Sequence, residues 1–307
     1  MTIRYYSVFI VMYCCVVTLP LLSEIDYTGK ETVVVTGGFE SVNSFIRYLT
    51  INGKRYILKQ KKDASRLMTA IREALAAYIA QDLHIAHSVK IIAIEDDISG
   101  KVNVQSPATL HTIAAGKSVR SQPESRYSQL CLKQRSPEDL LLGRWLTEEI
   151  IDQITWHKQL PLIIALDLFI SNTDRHGDNL FYDPVTDRFC AIDMDNIFRR
   201  DLPELARKKL IIMVKIQKKK FTKEEIVALT SVRNTLQFLS RRHSPNDIIA
   251  KLHFFAQQIS NKKNSVIHSK VMIKKIKSHE KMIIKSHKSL YRLIGVLNEI
   301  IMSSTKQ

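Results

Sequence analysis

Residues 171–198, SNTDRHGDNLFYDPVTDRFCAIDMDNIF, crowd Asp174, Asp178, Asn179, Asp183, Asp193 and Asp195 into one segment flanked by apolar runs. Turn chemistry accounts for some of them, because Asp, Asn and Gly close loops by hydrogen-bonding their own backbone. Asp183, Pro184 and Asp187 in FYDPVTDRF read that way, as the turn between two strands. The order of the others asks for more. Asp174 and Asn179 are five apart behind an apolar helix, PLIIALDLFI, and Asp193 follows the apolar strand FCAI. A carboxylate, an amide five residues on and a second carboxylate after the next strand supply a general base and two hard-oxygen ligands for magnesium. If Asp178 were the base instead, an amide would be needed at 183, where Asp183 stands, so Asp174 is the better base. Asp195 either touches a second metal or caps the segment that follows.

Working outward toward the N-terminus, ETVVVTGGFESVNSFIRYLTINGKRYILKQ (31–60) alternates apolar and polar residues in three runs broken by Gly37-Gly38 and Asn52-Gly53. Asn-Gly between alternating runs is the strongest short hairpin signal, so three antiparallel strands are expected near 31–36, 43–51 and 55–60. Gly37 and Gly38 then fall in a strand-to-strand turn where backbone N–H groups can approach phosphate oxygens. Lys59 ends the third strand, where its ammonium can reach the phosphates of a nucleotide. Leu67, Ile71, Ala74, Leu75, Tyr78 and Ile79 recur at helical spacing, and Glu73 on that helix is the natural anion to hold Lys59. VKIIAI (89–94) reads as a buried strand. From Gly100 to Arg135 the composition turns to Ser, Gln, Pro and Lys, which predicts a hinge and crossover. AAGKSV (114–119) is not a Walker loop, which needs a glycine five positions before Gly116, where His111 stands. Helices are expected at 137–145, at 147–157 and from Pro161, and the chain beyond Arg199 reads as almost entirely helical.

At 307 residues and 45% hydrophobic content the chain can build one large or two modest domains with a real core. The formal net charge of +16 predicts attraction to something acidic. Arg4 precedes an uncharged, mostly apolar run from Tyr5 to Leu22, long for a signal sequence and short for a membrane span. Residues 1–23 are therefore expected to be a secretory signal, with a membrane anchor or a buried first element as alternatives. That makes the protein secreted or membrane-associated, the cytoplasmic face of its own or a host's membrane included. Cys131 and Cys190 are the thiols left outside the leader, too few for a disulfide framework or a zinc site.

At DRHGDN and CAID the chain resembles kinase-like phosphotransferases, most closely the branch that groups phosphatidylinositol 3- and 4-kinases with HipA-like bacterial protein kinases and the actin-fragmin kinase. The catalytic loop of that branch reads D-R-x-x-x-N, followed by a hydrophobic-I-D segment. VTGGFESVNSFIRYL and GKRYILK are similar to the glycine loop and lysine strand of choline-kinase and aminoglycoside-phosphotransferase relatives. The resemblance covers about residues 31 to 200. It implies ATP and magnesium as cofactors, Asp174 as the catalytic aspartate, Asn179 and Asp193 as metal ligands, Lys59 as the phosphate lysine and Glu73 as its partner. The chain departs from the pattern in having few glycines in the glycine loop, and in Met194-Asp195 where ordinary protein kinases have Phe-Gly.

The C-terminal third is basic. Arg207 to Lys223 holds eight basic residues and no acid, and Lys270, Lys274, Lys277, Lys281, Lys285 and Lys288 recur at spacings that place them on one helical face. Such a stripe is either a solvated face or a surface for anionic lipid; no aromatic residues are interleaved for base stacking, which argues against nucleic acid. The expectation is an α+β, two-lobed protein-kinase-like fold. A small antiparallel β lobe (24–112) carries the lysine and its glutamate, and a larger, mostly helical lobe (113–307) carries the catalytic loop. The expected reaction moves the γ-phosphate of ATP to a hydroxyl, a protein serine or threonine first and a phosphoinositide second. A binding module that keeps the fold without turnover is the alternative from another class.

Overall fold

Asn52 and Gly53 adopt positive φ angles of 51° and 78°, and Ile51 pairs with Lys54 across them, so the expected two-residue hairpin turn is present. The computed structural model describes residues 33–40, 44–61, 66–94, 106–130, 148–260 and 270–304. The leader, Cys131 and the helix expected at 137–145 lie outside them. The turn joins β2 (Ser44–Ile51) to β3 (Lys54–Lys61), and β1 (Val33–Glu40) pairs antiparallel with β2. The sheet continues through β5 (Ser106–Thr112) to β4 (Val89–Ile94) in the order β1-β2-β3-β5-β4, antiparallel throughout. Leu49, Ile51, Tyr56, Leu58, Ile92, Ala108 and Leu110 form its buried apolar cluster.

Two expectations are corrected here. Gly37 and Gly38 do not make a turn between strands; they lie inside β1, after a register shift between Val35 and Gly37. Gly38 is there because a Cβ at that position would run into the Ile46 carbonyl of β2, so only a bare backbone can come so close. The segment read as a hinge also contains a strand. β5 starts beside Pro107, where a missing N–H is tolerated, and then alternates Ala108 and Leu110 into the apolar cluster with Thr109 and His111 on the other face.

Helix α1 (Arg66–Ala80) buries almost every residue, as its apolar spacing predicts. Helix α2 (Glu148–Gln153) stops short of the expected 157, closing in a turn in which Trp156 N–H donates to the Gln153 carbonyl. Helix α3 (Leu160–Phe169) has Pro161 in its first turn, where no intrahelical donor is lost, and packs against α4 (Leu202–Lys215) and α5 (Lys223–Arg242). Thr222 and Glu225 close a reciprocal capping box at the start of α5. Helices α6 (Pro245–Ser260) and α7 (Lys270–Ser304) follow. A second antiparallel sheet, in the order β6-β7-β8, comprises Lys117–Ser118, Leu180–Asp183 and Arg188–Ala191.

The class is α+β, with a small antiparallel sheet region and a larger helical one. Two units divide the chain: Met1–Asp82, Ala86–Ala114 and Ala250–Ile276 make the first; Leu83–Ile85, Ala115–Ile249 and Lys277–Gln307 make the second. Among the described residues no helix is long and apolar enough to cross a membrane.

Candidate active site

In the first unit the site is a buried ion pair. Lys59 lies directly opposite Thr109 in the β3–β5 ladder, and its Nζ donates to Glu73 Oε1 on α1 at 3.0 Å. Both side chains are largely withdrawn from water, so the attraction is screened far less than in a surface pair. The other carboxylate oxygen, Glu73 Oε2, accepts a hydrogen bond from the Thr109 hydroxyl at 2.9 Å. The lysine and glutamate expected to act together are together.

In the second unit the site is the loop between α3 and β7 and the segment after β8, laid side by side. Thr173 N–H donates to the Asn196 carbonyl (3.5 Å), and Ile192 N–H donates to the Asn179 carbonyl (3.1 Å). These two ties bring Asp174, Asn179 and Asp193 into one neighbourhood. The Asn179 side chain closes the loop on itself, its Nδ2 donating to the Asp174 carbonyl at 3.0 Å. With the nitrogen engaged there, the amide oxygen is the atom left to bind a cation. Asp193 has φ of 51°, a left-handed conformation that costs a non-glycine residue energy and concentrates at functional positions.

Arg175 holds this arrangement. Its Nε and Nη2 grip the two oxygens of Asp167, each at 3.0 Å, while Nη1 donates to the carbonyls of Ile192 (3.0 Å) and Asn179. Asn172 Nδ2 donates to Asp167 Oδ1 at 2.8 Å, and Asn172 Oδ1 accepts from Asp174 N–H at 3.1 Å. The Asp167 and Arg175 side chains are 0% and 1% exposed. Taking two charges out of water costs several kcal/mol each, and a bidentate pair with its remaining hydrogen bonds satisfied offsets that cost. The arginine thus staples the base-bearing loop to the residue just before Asp193. Sequence reading passed over Asp167 and took Arg175 only as a letter of DRHGDN with no role, although a lone aspartate inside PLIIALDLFI is the signal, since a buried carboxylate needs a partner.

Asp178, Asp183 and Asp187 are otherwise engaged. Asp178 pairs with Arg120 at 2.9 Å near the surface, an interaction worth at most about 1 kcal/mol. Asp183 accepts from Thr186 Oγ1 and Val185 N–H inside the β7–β8 turn, and those bonds, the hydroxyl's first, hold its carboxyl below the usual range. Asp187 accepts from the Tyr182 hydroxyl at 2.9 Å; burial first, and then this bond, push the phenol up to about 12. A pocket of about 430 Å³ beside that turn is lined by Lys158, Asp187 and Arg188, and by none of Asp174, Asn179 and Asp193. Among the described residues no three His, Cys, Asp or Glu side chains group to hold a metal, so Asp174, Asp193 and Asp195 do not make a three-carboxylate centre. An amide oxygen plus one carboxylate still suits magnesium, which keeps waters and substrate phosphates in the rest of its octahedron.

No protein-family model and no curated protein matches the chain. Among solved structures it is similar to the crystal structure of a Helicobacter pylori proinflammatory kinase, CtkA, at 11% identity and a TM-score of 0.48, over 91% of this chain and 98% of that one.

Proposed function

We propose that the protein is an ATP- and magnesium-dependent phosphotransferase that moves the γ-phosphate to a hydroxyl, with a protein serine or threonine as first acceptor. The observation that carries this is the Arg175-stapled loop, which gathers Asp174, Asn179 and Asp193. The buried Lys59–Glu73 pair supports it. Asp174 takes the acceptor's proton as its oxygen bonds to phosphorus, and the bond to the departing ADP breaks. Lys59, held by Glu73, binds the nucleotide phosphates, and edge-strand amides near Gly37 and Gly38 add donors. The Asn179 oxygen and the Asp193 carboxylate would hold magnesium, and Asp195, two residues on, is the candidate ligand for a second ion. A magnesium ion held there would supply positive charge to offset the negative charge that develops on the transferring phosphoryl group.

A second acceptor class, an inositol lipid at an anionic membrane, is favoured by one observation. Lys270, Lys274, Lys277, Lys281, Lys285 and Lys288 are all exposed on α7.

The test is incubation of the full chain with radiolabelled ATP and magnesium, with protein and phosphoinositide mixtures, beside Asp174→Ala. Transfer by the wild type should fall by roughly 10²–10⁴-fold in the variant, the usual share of a positioned general base. The labelled product identifies the acceptor class. Nucleotide binding without transfer under any condition would leave a binding module that retains the fold without turnover.

A further inference from the structure

The Lys59–Glu73 pair sits at the end of a longer buried chain of polar groups. Thr109 and His111, two apart on β5, share the sheet face opposite Ala108 and Leu110. The Thr109 hydroxyl donates to Glu73 Oε2 at 2.9 Å. His111 Nε2 lies 2.7 Å from the same hydroxyl oxygen, and His87 Nε2 lies 2.7 Å from His111 Nδ1, the two rings stacked with centroids 5.0 Å apart. Thr109 and Glu73 are each 2% exposed, His111 5% and His87 9%.

The proton positions follow from counting donors. A carboxylate paired with an ammonium only accepts, and Glu73 Oε2 at 2.9 Å is a nearer and charged acceptor than the Lys59 carbonyl at 3.4 Å, so the single hydroxyl proton of Thr109 points at Glu73. The hydroxyl oxygen must then accept from His111 Nε2–H. A neutral ring that donates from Nε2 accepts at Nδ1, so His87 donates there from its own Nε2. Every bond in the chain runs the same way, which lets each polarise the next in a setting without solvent screening.

We propose that His87, His111 and Thr109 form a one-way hydrogen-bond relay that positions the Glu73 carboxylate for Lys59, each histidine in the Nε2–H tautomer. The proposal rests on reading Lys59 as the lysine that holds nucleotide phosphates. Thr109 fixes Oε2 so that Oε1 is presented to the ammonium, His111 fixes the Thr109 rotor, and His87 fixes the tautomer of His111. None of the three touches the reacting atoms; all act through Glu73.

Two measurements test it on the full chain. Long-range ¹H–¹⁵N spectra of histidine-labelled wild type should show Nε2–H at both rings; Nδ1–H at His111 overturns the relay. Titration with a fluorescent ATP analogue and magnesium should show Thr109→Val, which keeps the shape and removes the hydroxyl, binding about tenfold more weakly, the low end for a hydrogen bond to a charged group. Thr109→Ser should recover wild-type affinity to within about twofold on the same basis. Equal losses in both variants, or none in Thr109→Val while Lys59→Ala abolishes binding, overturn the relay alone. Unchanged binding in Lys59→Ala overturns the proposed function beneath it. If Thr109→Val does not fold, the wild-type tautomers decide.

Discussion

Asp167 is a carboxylate that the second unit buries completely. It lies on a helix whose other inward side chains are apolar, and its charge is answered by Arg175 and Asn172 alone among the contacts described. Replacing it by alanine leaves a buried guanidinium uncompensated, so Asp167→Ala should lose about 3–5 kcal/mol of stability, read as a drop in the denaturant midpoint. Arg175→Ala should cost a similar amount, and the double variant clearly less than the sum, because each single change strands the other's charge. Additive losses would show that the pair is not coupled. Asp174, Asn179 and Asp193 were legible because their spacing carries a chemical order. The pairing of Asp167 with Arg175 was not, because a bidentate grip between a helix interior and a loop eight residues on leaves no periodic trace, and Arg175 stood in DRHGDN without a role. Thr109 and His111 were hidden in a segment whose Ser, Pro and Lys content reads as a crossover; a strand that buries polar side chains for a network lacks the apolar signal that betrays its neighbours.

Helix α7 shows how an element can be read correctly on one face and incompletely on another. Its lysine stripe was visible in the sequence, and Met272, Ile276, Ile283, Leu290 and Leu297 are buried on the opposite side. The structure adds that Ile273, Ile284, Tyr291 and Met302 are exposed. Their spacings of 11, 7 and 11 residues set them in one row alongside the lysines. A basic row flanked by an apolar row is the pattern of a helix lying in a lipid interface. At about 1 kcal/mol per lysine near an anionic surface, changing Lys277, Lys281 and Lys285 together to glutamine should weaken binding to phosphatidylserine-containing vesicles by roughly 10²-fold. Raising the salt should weaken the wild type in the same direction. Sedimentation with vesicles measures both, and equal binding to neutral and anionic vesicles would remove lipid charge as the partner. The strands β2–β4 and helices α1 and α3 were readable for a common reason: each carries its own period, turn or cap within a short window, whereas β1 was expected to end before Gly37 and runs on to Glu40, and the chain beyond Arg199 read as helical without its division into α4–α7. The short span of α2 was not, because it is set by a terminating turn with no Gly or Pro to mark it.

At the scale of the folded chain, acid should be destabilising for a reason that can be traced to one ring. His287 on α7 is 2% exposed; its Nε2 donates to the His243 carbonyl at the end of α5 (3.1 Å), and its ring lies T-shaped against Phe169 of α3, the centroids 5.1 Å apart. It therefore ties three helices of the second unit in its neutral form. Its Nδ1 is buried without a hydrogen-bond partner among the described residues, so a second proton would have to be held where nothing answers it. Burial accordingly pushes the imidazole below its ordinary value of 6.5. Unfolding restores that ordinary value. Below about pH 6.5 the unfolded chain binds a proton that the folded one refuses, and stability rises with pH across the window and falls as pH drops through it. The net charge of +16 adds a general self-repulsion that also grows in acid, so the two contributions must be separated. His287→Gln keeps an N–H that can reach the His243 carbonyl and cannot titrate. Melting temperatures at pH 7.5, about 6.5 and 5.5 should fall more steeply for the wild type than for His287→Gln, the difference between the slopes being the histidine's share. Parallel slopes would assign the acid sensitivity to net charge and leave His287 a packing residue.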